Sequence, residues 1–142
     1  MRKTIGWAVC VAAAVFAAGC CNCRSYQKKT RRPLAGTEWQ LVQLYGEKVA
    51  AGEECFTLVF GPEERTVSGR GACNRLTGSY ALGERRALKI GPLGTTRMWC
   101  PDVDREARFV EAVESATHYE MDGPMLLLLS DGKLNAIFQA RP

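Results

Sequence analysis

Seven cysteines and one histidine are the side chains of this 142-residue chain best suited to nucleophilic, redox or metal chemistry. Their spacing argues against most of it. A zinc knuckle needs paired cysteines with roughly two to four residues between them. Here Cys21 and Cys23 have one residue between them, and Cys55, Cys73 and Cys100 stand singly. No serine or cysteine motif points to His118, so a His-based triad lacks support and a surface or helix-terminal histidine is the plainer reading. The acidic pairs Glu53-Glu54 and Glu63-Glu64 adjoin turn signals and read as solvated loop charge, not as a hydrolase pair. Gly69-Arg70-Gly71 falls short of a dinucleotide loop: Asn74 stands where the third glycine belongs, and a strand follows instead of a helix. Glycines there let the sheet curl, through a bulge or a close backbone approach. The expectation is a non-enzyme with no catalytic residue, no metal and no cofactor.

The N-terminus carries a different kind of chemistry. Arg2 and Lys3 precede an apolar run from Ile5 to Ala18, and small residues at Ala17, Ala18 and Gly19 lead into Cys20. This is the tripartite plan of a secretory signal over residues 1–19. The run ends short of the roughly 20 apolar residues that a spanning helix requires. Ala17-Ala18-Gly19-Cys20 resembles a bacterial lipobox, with Ala17 where Leu is usual. That resemblance implies lipidation of Cys20, whose sulfur receives diacylglycerol and whose mature lipid carries palmitate-type acyl chains. Without an aspartate at the second mature position, held by Cys21, the common sorting rule implies the outer membrane, facing the periplasm.

Charge divides what remains. Arg24, Lys28, Lys29, Arg31 and Arg32 place five cations and no acid just after the anchor, whereas residues from Pro33 onward hold 12 Lys and Arg against 15 Asp and Glu. A slightly acidic globular part with no basic face argues against nucleic-acid binding. Residues 20–33 read as a lipid-anchored basic linker, flexible and solvated, whose cations also suit anionic head groups.

A single compact domain is expected beyond the linker. Trp39 and Leu41 alternate with polar Glu38, Gln40 and Gln43; Phe56–Phe60, Val67–Ala72, Ser79–Leu82 and Ala87–Ile90 are further strand candidates. Gly61-Pro62, Gly83-Glu84 and Gly91-Pro92 punctuate them. Met125–Leu129 and Leu134–Phe138 flank Asp131-Gly132, the signal of a hairpin with a type I′ turn. Between these groups, Val103, Ala107, Val110, Val113 and Thr117 recur at spacings of three and four, predicting one main helix over about 102–118 capped by Asp102. The fold class is α+β: a curved antiparallel sheet, half-open and barrel-like, with one helix and a C-terminal hairpin.

Three motifs then carry a family resemblance. Leu34-x-Gly36-Thr37-x-Trp39-x-Leu41, Gly69-x-x-x-Cys73-Asn74-x-x-x-Gly78-x-Tyr80 and Thr96-x-Met98-x-Cys100 resemble the META domain of HslJ-like heat-shock lipoproteins, over about residues 34–140. The departures are Ala72, where many members have glycine, and the additional Cys55. The resemblance implies an envelope protein associated with stress or antibiotic tolerance, and no known reaction. It also implies a Cys73–Cys100 disulfide, because each of these cysteines is embedded in a family motif; two buried free thiols, or a bridge to Cys55, remain the alternatives.

Asn74 is either a recognition group or, the preferred reading, an amide that ties down the turn leading to Gly78. Arg75, Arg97 and Trp99 flank the motif cysteines, and a bridge would gather them into a binding hot spot unless Trp99 belongs to the core. The functional expectation is a monomeric accessory or stress protein, tethered to a membrane by its lipid and bound to an envelope protein partner. The rival expectation is a carrier holding a lipid or small apolar molecule between sheet and helix. An open apolar cavity there favours the carrier, and a filled core with an exposed aromatic patch favours the protein binder.

Overall fold

A computed structural model describes residues 22–50 and 55–142. The signal segment, Cys20, Cys21 and the Glu53-Glu54 pair lie outside the described residues. Helix α1 covers residues 22–30. The strands are β1 (Glu38–Leu44), β2 (Glu47–Lys48), β3 (Thr57–Phe60), β4 (Thr66–Arg70), β5 (Arg75–Leu82), β6 (Leu88–Ile90) and β7 (Gly94–Thr95). Helix α2 (Val103–Glu114) follows, and then β8 (His118–Asp122), β9 (Met125–Ser130) and β10 (Lys133–Ala140).

Eight strands form an antiparallel sheet in the order β6-β5-β4-β3-β1-β10-β9-β8, with β2 added beside β1 and β7 beside β5. The sheet curls until its two ends nearly meet. A single bridge, Ala87 to His118, spans the seam, supported by the Leu88 N–H donating to the Thr117 carbonyl at 2.9 Å. The α+β class and the barrel-like curl are thus as the sequence led us to expect. Trp39, Leu41, Leu58, Phe60, Val67, Leu126, Leu128 and Phe138 point inward and are fully buried. Trp39 is also anchored through its polar edge, its indole N–H donating to the Leu34 carbonyl at 2.9 Å. The final hairpin turns at Asp131 (φ 48°) and Gly132 (φ 82°), the two left-handed positions a type I′ turn demands.

Four expectations need correction. The basic stretch is not a loose tether. Residues 22–30 are helical, and the Gln27 side chain grips the β8–β9 turn, its amide donating to Asp122 Oδ1 and its Oε1 accepting from the Gly123 N–H at 2.7 Å. Second, α2 stops at Glu114. Thr117 donates its N–H to the Leu129 carbonyl at 2.8 Å, and His118 and Tyr119 pair with Leu129 and Leu128 as part of an additional strand. A β-branched residue followed by an alternating segment gains more from that ladder than from another helical turn.

Third, α2 buries a different face. Glu106, Phe109, Ala112 and Val113 face inward, whereas Val103 and Ala107 are exposed and Val110 half-buried. The sequence offers two apolar stripes, and the one bearing Phe109 wins because its ring fills the space between Phe56 and Phe138, with centroids 5.4 and 6.1 Å away. Asp102 gives no side-chain cap; its carbonyl accepts the Glu106 N–H at 3.0 Å. At the other end Asn135 donates to the Ala112 carbonyl at 3.1 Å, satisfying one of the orphan acceptors there. Fourth, Gln40 belongs to an alternating polar series but is buried, its amide donating to the Cys55 carbonyl at 2.7 Å. No helix among the described residues is long and apolar enough to cross a membrane.

Candidate functional site

The motif residues converge at one end of the barrel, where the turn between β4 and β5 meets the start of α2. Two glycines allow close packing here, Gly69 in β4 against β3 and Gly71 against α2. A Cβ on Gly69 would lie 2.0 Å from the Thr57 carbonyl oxygen, and one on Gly71 would lie 2.4 Å from Glu106 Oε2. Close backbone approach, one of the two reasons expected for these glycines, is therefore what they permit.

Into the space above Gly71 comes the carboxylate of Glu106, 5% exposed. Its Oε2 accepts the N–H groups of Cys73 (2.8 Å) and Asn74 (3.0 Å), and its Oε1 accepts the Asn74 side-chain amide. Burial alone would raise its pKa, yet these donors, with the Ala72 N–H beside them, outweigh that and hold the group below the usual carboxylate range. A carboxylate so thoroughly satisfied is held ionised and has no poise for proton transfer.

Asn74 is equally committed. Its Nδ2 serves Glu106 and the Met98 carbonyl (3.1 Å), and its Oδ1 accepts from Thr96 Oγ1 (2.8 Å) and the Met98 N–H (2.7 Å). The amide has used its two donors and both acceptor positions. In this arrangement both ends of the Asn74 amide are engaged by protein groups. What it ties down is mainly the strap from Gly94 to Cys100, not the approach to Gly78.

The strap is fastened at both ends. Cys73 and Cys100 form a disulfide across 27 residues with their Cα atoms 6.1 Å apart. At the other end Thr96 Oγ1 accepts the Arg75 N–H at 3.1 Å, while the Thr96 N–H donates to the Arg75 carbonyl at 3.2 Å. Arg75, Arg97 and Trp99 are exposed in this neighbourhood. Trp99 is 80% exposed and Met98 65%, so Trp99 is no part of the core. Cys55 is half-buried, its thiol directed at the Ala72 carbonyl, and remains unbridged, as does Cys23 on α1.

Glu106 and Thr96 were missed as site residues. Thr96 lay in plain view within its motif, where a hydroxyl fixed two residues before Met98 signals a backbone clamp. Glu106 gave no such signal, because its partners lie more than thirty residues away in sequence. His118 sits on β8, its ring nitrogen Nδ1 3.0 Å from Thr117 Oγ1. Among the described residues no three His, Cys, Asp or Glu side chains come together as a metal site requires.

Residues 32–142 match the family model of the META domain. No curated protein matches the chain. A solved structure of a protein from Burkholderia xenovorans, determined by NMR, is 30% identical with a TM-score of 0.59, over 76% of this chain and 83% of that one. A crystal structure of a DUF4847 family protein from Bacteroides vulgatus is 20% identical with a TM-score of 0.58, over 77% and 94%. The second shows a shared fold and nothing more.

Proposed function

Because this chain belongs to the META domain family, we propose that it is a non-enzymatic accessory protein of the bacterial cell envelope, serving a stress response by binding another protein through the strap. The observation that carries this reading is the exposure of Met98 and Trp99 on a segment closed by the disulfide and clamped by Asn74. Large apolar side chains presented on a backbone fastened in this way bind without the cost of ordering the segment that carries them, which favours a hot spot. Arg97 next to them in the chain and Arg75 in the same neighbourhood, both exposed, supply a polar rim.

The carrier reading has less support. Between α2 and the sheet the buried Phe109 ring packs against both Phe56 and Phe138, so the buried core there is occupied by side chains. In the same proposal, lipid on Cys20 holds the protein at the outer membrane, facing the periplasm, and the cations of α1 lie beside the bilayer. The domain acts as a monomer.

A photo-crosslinking residue at position 99 of the full chain, produced in its own host, tests the strap. A discrete protein adduct is expected from position 99 and none from position 63, on the β3–β4 turn. Equal adducts at both positions, or adducts undiminished when Met98→Ala is added, would remove the support. Replacing Cys20 by Ser should move the protein from the membrane to the soluble envelope fraction.

A further inference from the structure

A thiol and a disulfide are held side by side at this end of the barrel. The β3–β4 ladder pairs Thr57 with Arg70, and the two chains stay in step beyond it. The Phe56 N–H donates to the Gly71 carbonyl at 3.3 Å, and the Cys55 thiol is directed at the Ala72 carbonyl at 3.6 Å. The residue after Ala72 is Cys73, already bridged to Cys100. One peptide unit thus separates an unbridged thiol from the bridge, and all three cysteines are half-buried.

The segment that carries Cys55 is strained. Phe56 is buried with φ 56°, a left-handed conformation that is an outlier for a bulky side chain. Gln40, 7% exposed, holds the Cys55 carbonyl through its amide at 2.7 Å, while its Oε1 accepts no hydrogen bond among the described residues. An orphaned buried acceptor and a strained backbone each cost free energy, and strain of this kind collects at switch regions. The two bridged cysteines are also fixed unequally. The Cys73 N–H is held by Glu106 Oε2 at 2.8 Å, so Cys73 keeps its place whichever sulfur it is bonded to. Cys100 ends the strap, and the bridge fastens that end to the β4–β5 turn.

We propose that Cys55 is a resolving thiol for the strap. Its thiolate attacks the Cys73 sulfur, a Cys55–Cys73 bond forms as the Cys73–Cys100 bond breaks, and Cys100 leaves as a thiolate that takes up the proton Cys55 gave to solvent. One thiol and one disulfide stand on each side, so the exchange needs no oxidant or reductant. A bridge from Cys55 closes a shorter loop than the 27 residues of the existing one, and closure entropy varies so slowly with length that it separates the two only slightly. The product frees the Cys100 end while the Asn74 clamp on Met98 remains, giving the strap a fully latched and a half-latched form. The exchange involves no partner, so it stands or falls independently of protein binding at the strap.

Peptide mapping of the full chain tests it. Wild-type protein is held at neutral pH, trapped with a maleimide at mildly acid pH, where thiolate is scarce and exchange slow, and digested unreduced. A Cys55–Cys73 peptide is expected in about 1–10% of chains, the share of a minor conformer, with maleimide on Cys100 to the same extent. In Cys55→Ser, which lacks that minor form, labelling of Cys100 should fall about tenfold or more. Cys100→Ser in a buffer of reduced and oxidised glutathione gives a second reading. There Cys73 should join Cys55 about tenfold more often than it joins Cys23, exposed on α1, because a neighbouring thiol has the higher effective concentration. The proposal is overturned if the Cys55–Cys73 peptide is absent from the wild type, if Cys100 is labelled equally with and without Cys55, or if Cys73 in Cys100→Ser joins Cys23 as readily as Cys55.

Discussion

Glu106 and Asn74, 32 residues apart, are joined by two hydrogen bonds, one from the asparagine backbone to Oε2 and one from its side chain to Oε1. The pair links three pieces of chain: the β4–β5 turn, the first turns of α2 and the strap. Since Asn74 also holds both the N–H and the carbonyl of Met98, the exposed strap is positioned from beneath by a buried charge.

That charge makes stability depend on pH in a defined direction. Burial opposes ionisation of Glu106, but the Cys73, Asn74 and Ala72 donors prevail, so the folded protein holds a proton there less readily than the unfolded chain. Its contribution is complete above the unfolded-chain value of about 4.3 and is lost as pH falls through the lower folded-state value. Thermal melts of the wild type and of Glu106→Gln between neutral and acid pH should converge as pH falls. The variant should be less stable at neutral pH by about 1–3 kcal/mol, because its new amide group meets donors where an acceptor stood.

Removing the bridge should loosen the whole end of the barrel. Under the chain-entropy model, a loop closed across 27 residues contributes about 3.5 kcal/mol, so Cys73→Ser with Cys100→Ser should lower the unfolding free energy by that order, and the denaturation midpoint with it. Fluorescence anisotropy assigned to Trp99 should fall as well, whereas the buried Trp39 should be unaffected in the native state. A midpoint unchanged by reductant would contradict the pairing.

The two glycines at the β4–β5 turn should fail differently. In Gly69→Ala the new methyl meets backbone at Thr57, which no rotamer change relieves, and a loss of about 3 kcal/mol is expected. In Gly71→Ala it meets the Glu106 side chain, which can be expelled. Gly71→Ala should therefore reproduce the flattened acid limb of Glu106→Gln, while Gly69→Ala, if it folds, should keep the wild-type limb; pH-dependent melts separate them.

Docking of α1 rests on Gln27, whose amide meets both Asp122 and the Gly123 N–H. Gln27→Ala should raise hydrogen exchange at the Gly123 amide about tenfold, the loss of roughly one hydrogen bond's worth of protection, with global stability nearly unchanged. Equal exchange in both proteins would mean that the helix does not stay docked.

Much of the sheet was legible. Asp131-Gly132 announced its hairpin through the positive φ that both residues tolerate, and the alternation around Trp39 and Leu41 located β1. The motif cysteines, read through the family resemblance, met as expected. The helix was only half legible, because hydrophobic spacing identifies a helix without choosing between two stripes. An acidic residue at 106 biased the choice toward the stripe at 103, 107 and 110, since nothing local reveals that its donors wait on a distant turn. Strand β8 was hidden for a related reason: spacing of three and four ran on through Thr117, and its partner β9 is later in the chain. Residues 22–30 offered no apolar period at all, and their docking depends on one glutamine matching one turn.

The position of β1 has a bearing on when the domain can come into existence. It lies in the middle of the sheet, flanked by β3 on one side and by β10, the last strand, on the other. An early segment thus waits for the final one. Until residues 133–140 have been delivered, β1 keeps one open edge and β9 lacks one of its two neighbours, so the sheet stays unfinished through the synthesis of every strand before β10. Losing residues 133–140 would leave β1 and β9 each with one open hydrophobic edge, a template for wrong pairing and a target for proteolysis.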